Sequence, residues 1–169
     1  AKVTCKKLRL TKKEPDLTEW ENIVERIQNS TKKATIALVG KYNSMPDAYL
    51  SVTESLNHGG IAAGAKITVK WVDAEEINDQ NAAEMLKDVD GILVPGGFGE
   101  RGTEGKIAAI RYAREKDIPF LGICLGMQMA AVEFARNQMG MKDAHSTEFS
   151  KKEKHAVIHI MENQKSVTK

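Results

Sequence analysis

Short apolar runs alternate with longer amphipathic stretches from residue 34 onward, a pattern that predicts strands joined by covering helices. The runs fall at residues 35–39, 67–72, 91–94, 119–123 and 156–160. Helical spacing of apolar positions lies between them, at residues 48–63, 78–87, 103–116 and 125–139. The expected architecture is α/β, a mostly parallel sheet with helices on both faces. Residues 1–33 read differently: Lys6, Lys7, Arg9, Lys12 and Lys13 gather ahead of Pro15 and few apolar positions recur. This is the pattern of a linker arm, with a nucleotide-phosphate contact as the second reading. Within it, Asp16 or Thr18 is placed to cap a short helix whose Trp20, Ile23, Val24 and Ile27 share one side, ending near Asn29. The expected organisation is an arm over 1–33 and one domain over 34–169. The polar stretch 162–169 adds no closing element, which leads us to expect a domain that is cut short.

Composition narrows the chemistry. With 169 residues, 41% of them hydrophobic, the chain has material for one ordinary core. Lys and Arg number 25 against 23 Asp and Glu, a net charge of +2 that provides no general field for holding nucleic acid or an anionic membrane. The two cysteines, Cys5 and Cys124, are too few for a disulfide scaffold or a four-ligand zinc site, so a reducing, cytoplasmic setting is expected, without metal. The most apolar segment, residues 120–132, is too short to cross a bilayer and contains two glycines and Gln128.

Ligands of open parallel sheets bind beyond the carboxyl ends of the strands, which directs attention to the loops after residues 39, 94 and 123. In Gly122-Ile123-Cys124-Leu125-Gly126 a cysteine stands at a strand-to-helix turn between glycines, the pattern of a nucleophile elbow with sulfur as the attacking atom. Larger residues two positions away would collide with the adjoining strand and helix. A sulfur at a helix N-terminus also meets unpaired N–H groups that favour the thiolate. Taken singly, Cys124 also fits a small buried core residue. The second loop, Pro95-Gly96-Gly97-Phe98-Gly99, can turn an N–H into the cleft, so that Gly97 and Leu125 together form an oxyanion hole. A plain glycine turn is the alternative there.

Two phosphate motifs compete. Gly97-Phe98-Gly99-Glu100-Arg101-Gly102 fits G-x-G-x-x-G, with Asp117 as a ribose acid, which keeps a non-catalytic nucleotide-binding module open. Asp117, however, precedes a strand instead of ending one. Gly40-Lys41 resembles the end of a P-loop, but Tyr42 replaces the magnesium-binding hydroxyl, and that reading is excluded.

Taken together, PGGFG at 95–99, RGTEGK at 101–106, GICLGMQ at 122–128 and STEF at 146–149 resemble the glutamine amidotransferase domain of the CTP synthase family. ALVGKY at 37–42 with PDAY at 46–49 is similar to the family's first strand and lid, and the arm to the linker from its synthetase domain. The resemblance implies a flavodoxin-like three-layer sandwich of the class I, triad-type glutamine amidotransferases. It implies that Cys124 attacks the side-chain amide of L-glutamine, forming a thioester and releasing ammonia. Gly97 and Leu125 would hold the oxyanion, and Gly97, Leu125, Gly126, Met127, Gln128 and Glu148 the glutamine. Lys41, Arg101, Gly102 and Glu104 match positions near a GTP effector, although each also reads as a charge or turn at a helix start. In the family a separate synthetase domain uses ATP and magnesium to convert UTP to CTP, in a homotetramer.

One departure stands out. The family's general base and its orienting acid lie in a His-Pro-Glu segment, and no His-x-Glu occurs among these 169 residues. His58, His145, His155 and His159 lie elsewhere; His155 and His159 share one face of the strand expected at 156–160 and read as surface residues. The expectation is a nucleophile without its base, hence a chain that barely turns over glutamine.

Overall fold

The computed structural model describes residues 2–10, 15–42, 45–149 and 155–161. Lys12, Lys13 and the polar stretch 162–169 lie outside the described residues. Helices α1 (Lys2–Lys7) and α2 (Thr18–Asn29) precede β1 (Lys32–Gly40). A single 3-10 turn, Pro46–Tyr49, leads into α3 (Leu50–Ala63), followed by β2 (Ala65–Asp73), α4 (Ala82–Leu86) and β3 (Gly91–Val94). Next come α5 (Thr103–Glu115), β4 (Phe120–Gly122), α6 (Leu125–Asn137), β5 (His145–Ser146) and β6 (Ala156–Ile158).

Strands β2, β1, β3 and β4 form one parallel sheet in that order, with Leu38 of β1 opposite Trp71 of β2 and Leu93 of β3. Because successive side chains point to opposite faces, the apolar runs supply two cores. Leu38 and Leu93 meet Tyr49, Val52 and Leu56 on the α3 side. Ala37, Val39, Ile92 and Val94 meet Ile107, Ile110, Leu125 and Met129 of α5 and α6 on the other. The three-layer α/β sandwich of the sequence reading is therefore the observed architecture, and every strand of the main sheet ends toward the same edge.

Three expectations need correction. The run at 156–160 does not join the main sheet: β6 pairs in parallel with β5, its Ile158 carbonyl accepting the Thr147 N–H at 2.9 Å, while Val157 and Ile158 pack against the α5/α6 core. The strand ends at Ile158, so His155 and His159 flank it instead of sharing its face. Helix α4 starts at Ala82 and not at 78, because Asn78 Oδ1 accepts the N–H groups of Gln80 and Asn81 and closes a turn first. In the arm, α1 was not anticipated. Helix α2 forms where the spacing places it, but Leu17 stands at its N-cap without a side-chain cap bond instead of Asp16 or Thr18, Asp16 Oδ1 accepting the N–H of the first helical residue, Thr18, at 3.0 Å; none of its residues is buried and Trp20 is 68% exposed.

Helices α5 and α6 are tied by a buried ion pair. Glu133 is 1% exposed and receives Arg114 Nη2 at 2.8 Å, Arg114 Nε at 3.1 Å and Asn137 Nδ2 at 3.0 Å. Removing the guanidinium strands a buried carboxylate, so Arg114→Ala is expected to cost about 2 kcal/mol or more, the arginine itself being partly solvated. A lowered urea midpoint at unchanged slope would show it; an unchanged midpoint would mean that water replaces the arginine freely.

Candidate active site

The β4–α6 turn holds its cysteine in a conformation that L-residues rarely adopt. Cys124 has φ 52° and ψ −108°, while Ile123 N–H donates to Val94 O and Gly126 N–H to Ile123 O, each at 2.9 Å. Strain of this kind is retained where the surroundings enforce it. Here they do: an ideal Cβ on Gly122 would lie 2.6 Å from the Gly126 carbonyl carbon and the Met127 nitrogen, and one on Gly126 would lie 2.0 Å from Val94 O. Both flanking glycines are thus required, one against the helix and one against the neighbouring strand. The thiol is exposed at the end of the sheet instead of being packed in the core.

The loop after β3 faces this turn. An ideal Cβ on Gly96 would stand 3.5 Å from Cys124 Cβ, and one on Gly97 would stand 3.8 Å from Leu125 Cδ2. Leu125 opens α6, where the first N–H groups have no partner within the helix. Among the described residues neither its N–H nor that of Gly97 has an acceptor in a turn, loop or cap bond. Two backbone N–H groups without such a bond therefore belong to the two segments that meet at the cysteine.

Lys41, at the end of β1, braces the loop from behind. It is buried, its N–H donates to Tyr49 Oη at 3.1 Å, and its Nζ donates to the carbonyls of Phe98 and Gly99. Burial, then Arg101, lowers its pKa below the usual lysine range, against the pull of Glu75 and Glu148. Glu148, exposed on the loop after β5, is thereby placed within electrostatic reach of this end of the sheet. Gln128 sits one turn into α6, its N–H bonded to Cys124 O at 3.1 Å, and Met127 is exposed beside it. Arg101 pairs with Glu75 at 2.7 Å and Glu104 with Arg136 at 2.8 Å, while Gly102 caps α5 with φ 74°. These three are gathered at the start of α5, with ordinary structural partners.

Other sequence readings come apart. Asp117 lies in the turn before β4, at the opposite edge of the parallel sheet from Gly97–Gly102, so the two halves of a dinucleotide site are not brought together. Among the described residues no histidine bonds to Cys124; His145 Nδ1 accepts the Ser146 N–H, and His155 pairs with Asp143 at 2.5 Å. No helix among them is long and apolar enough to cross a membrane.

Sequence reasoning missed Lys106. It is fully buried on α5 with its Nζ beside Gly97 and, among the described residues, no hydrogen-bond partner. The signal was present: residues 106, 109, 110 and 113 form one helical stripe, otherwise Ala109, Ile110 and Ala113, and a lysine on that stripe points inward.

Comparison with known proteins agrees with this geometry. The profile of the class-I glutamine amidotransferases matches residues 44–168. CTP synthases from Halalkalibacterium halodurans and Bacillus subtilis are 56% and 50% identical over 98% of the chain. The chain spans 31% of the length of each. In structure it is similar to the glutaminase domain of a Trypanosoma brucei CTPS with bound acivicin, with a TM-score of 0.73 and 43% identity over 78% of this chain and 51% of that one. A cysteine elbow opposite a glycine loop, on this sheet and in this sequence context, places the chain in the class-I glutamine amidotransferase family, in the form that CTP synthases carry.

Proposed function

We propose that the chain is the nucleophile-bearing part of a CTP synthase glutaminase domain. Cys124 Sγ adds to the side-chain carbonyl carbon of L-glutamine, with the oxygen taking the negative charge between the N–H groups of Gly97 and Leu125. Collapse of that intermediate breaks the C–N bond, releases ammonia with the proton lost by the thiol, and leaves a glutamyl thioester that water hydrolyses to glutamate. Gln128 and Glu148 would bind the amide and ammonium groups of the substrate. The ammonia would pass to a synthetase domain that uses ATP and magnesium to convert UTP to CTP, with GTP as effector near Lys41, Arg101, Gly102 and Glu104. The observation that carries this reading is the φ of 52° at Cys124, enforced by glycines that have no room for a side chain.

The test is covalent capture. Acivicin, the compound held by the trypanosomal domain, is expected to label Cys124 and to spare Cys5, with labelling lost in Cys124→Ala. Equal labelling of the two cysteines would overturn the reading. Because these 169 residues hold no His-x-Glu, the chain alone is expected to release glutamate at close to background rate. A Cys124-dependent turnover of ordinary enzymatic size would show that some other group serves as base.

A further inference from the structure

Helix α5 carries one group that neither the fold nor the elbow explains. Lys106 is wholly buried, and its Nζ has no hydrogen-bond partner among the described residues. An ideal Cβ on Gly97 would lie 3.5 Å from that Nζ and 3.2 Å from Lys41 Cε, so the two lysine ends close off the back of the glycine loop. Gly96, the preceding residue, faces Cys124 from the same loop. Lys41 differs in having carbonyl partners, whereas the Lys106 ammonium has none. A buried cation with nothing to bond is strongly disfavoured, and such an exception calls for a reason, a catalytic role being one.

We propose that Lys106 is a positioning residue of the glutaminase reaction, a buried positive charge behind Gly97 that complements the negative charge formed on Cys124 and in the oxyanion pocket. The inference rests on the glutaminase reading above. Burial and two neighbouring groups set the charge state of Lys106. Burial and Lys41, from the end of β1, lower its pKa to about 8, and Cys124, from the β4–α6 turn, favours the ammonium. Arg101, Glu75 and Glu148 face Lys41. Cys124 is the anion-forming group that faces Lys106 itself. At neutral pH the charge is therefore mostly present, and it is lost as pH rises through about 8.

Two small alkylating agents read this charge without any glutamine recognition. Iodoacetate carries a carboxylate and iodoacetamide does not, so their rate ratio at Cys124 reports the local positive potential. In the intact chain that ratio is expected to fall as pH is raised through about 8. In Lys106→Met it should be lower by about fivefold at pH 7, the size of one charge interaction at close range in a water-like medium, and flat with pH. Cys5 serves as internal control, its ratio unchanged by the substitution. A wild-type ratio that is flat between pH 7 and 9 would overturn the proposal, whether or not the variant folds. An unchanged ratio in a folded Lys106→Met would do the same and leave Lys106 as packing alone. Failure of acivicin to label Cys124, with the ratio still dependent on Lys106, would instead sink the glutaminase reading and keep the charge assignment.

Discussion

Gly126→Ala is expected to cost about 4 kcal/mol or more and to leave most of the chain unfolded at 25 °C. The added methyl would stand 2.0 Å from the Val94 carbonyl oxygen and 2.8 Å from its carbon. Both are backbone atoms of a fully buried residue on β3, between β1 and β4, so neither a rotamer change nor a small shift relieves the contact. Relief would require pulling α6 off the sheet, which breaks the core formed by Leu125, Met129 and Val94. Gly59→Ala is the control: nothing lies within 4 Å of its ideal Cβ, it is inside α3, and the change should stabilise by about 0.5–1 kcal/mol. Urea unfolding checks both. A Gly126→Ala midpoint close to that of wild type would mean that the turn opens without disturbing β3, and the enforced strain at Cys124 would lose its explanation.

Lys106→Met should move stability the other way, by about 3 kcal/mol at pH 7. The lysine has an ordinary value of 10.5 in the unfolded chain and about 8 when folded. Below about pH 8 both states hold the proton and the burial cost is present in full. Between about 8 and 10.5 the unfolded state binds more protons than the folded one, so wild-type stability rises with pH across this window. The methionine variant, with no proton to lose there, should be more stable at neutral pH and lack that rise. Thermal unfolding at pH 7 and pH 10 separates the cases; a variant less stable than wild type at pH 7 would show that the ammonium has a partner in the native state. A gain in stability together with a loss of anion preference at Cys124 is the pattern expected of a group kept for chemistry at the expense of folding.

The legibility of the sequence varied with the range of the interaction that decides each feature. Strands β1 to β4 and helices α3, α5 and α6 were readable because a run or a 3.6-residue stripe is a local record of which face is buried. The elbow was readable for a related reason: glycines at 122 and 126, two positions on either side of Cys124, register steric conflicts imposed by the start of α6 and by the neighbouring strand β3. Asn78 hid the true start of α4, since a side chain closing its own turn looks, in sequence, like the first turn of the helix.

The sequence by itself determined that this is a parallel α/β domain with a cysteine at a strand-to-helix turn and a glycine loop to face it, because each of these follows from local sterics and periodic burial. Only the tertiary structure decided that β6 pairs with β5 and not with the main sheet, that Lys41 braces the glycine loop, and that Lys106 stands behind Gly97 with no hydrogen-bond partner among the described residues. Those outcomes depend on which distant segments meet. Residues 41, 97, 106 and 124 come from four separate strand ends and helix starts, and nothing in the chain near any one of them records the charge or the space provided by the others.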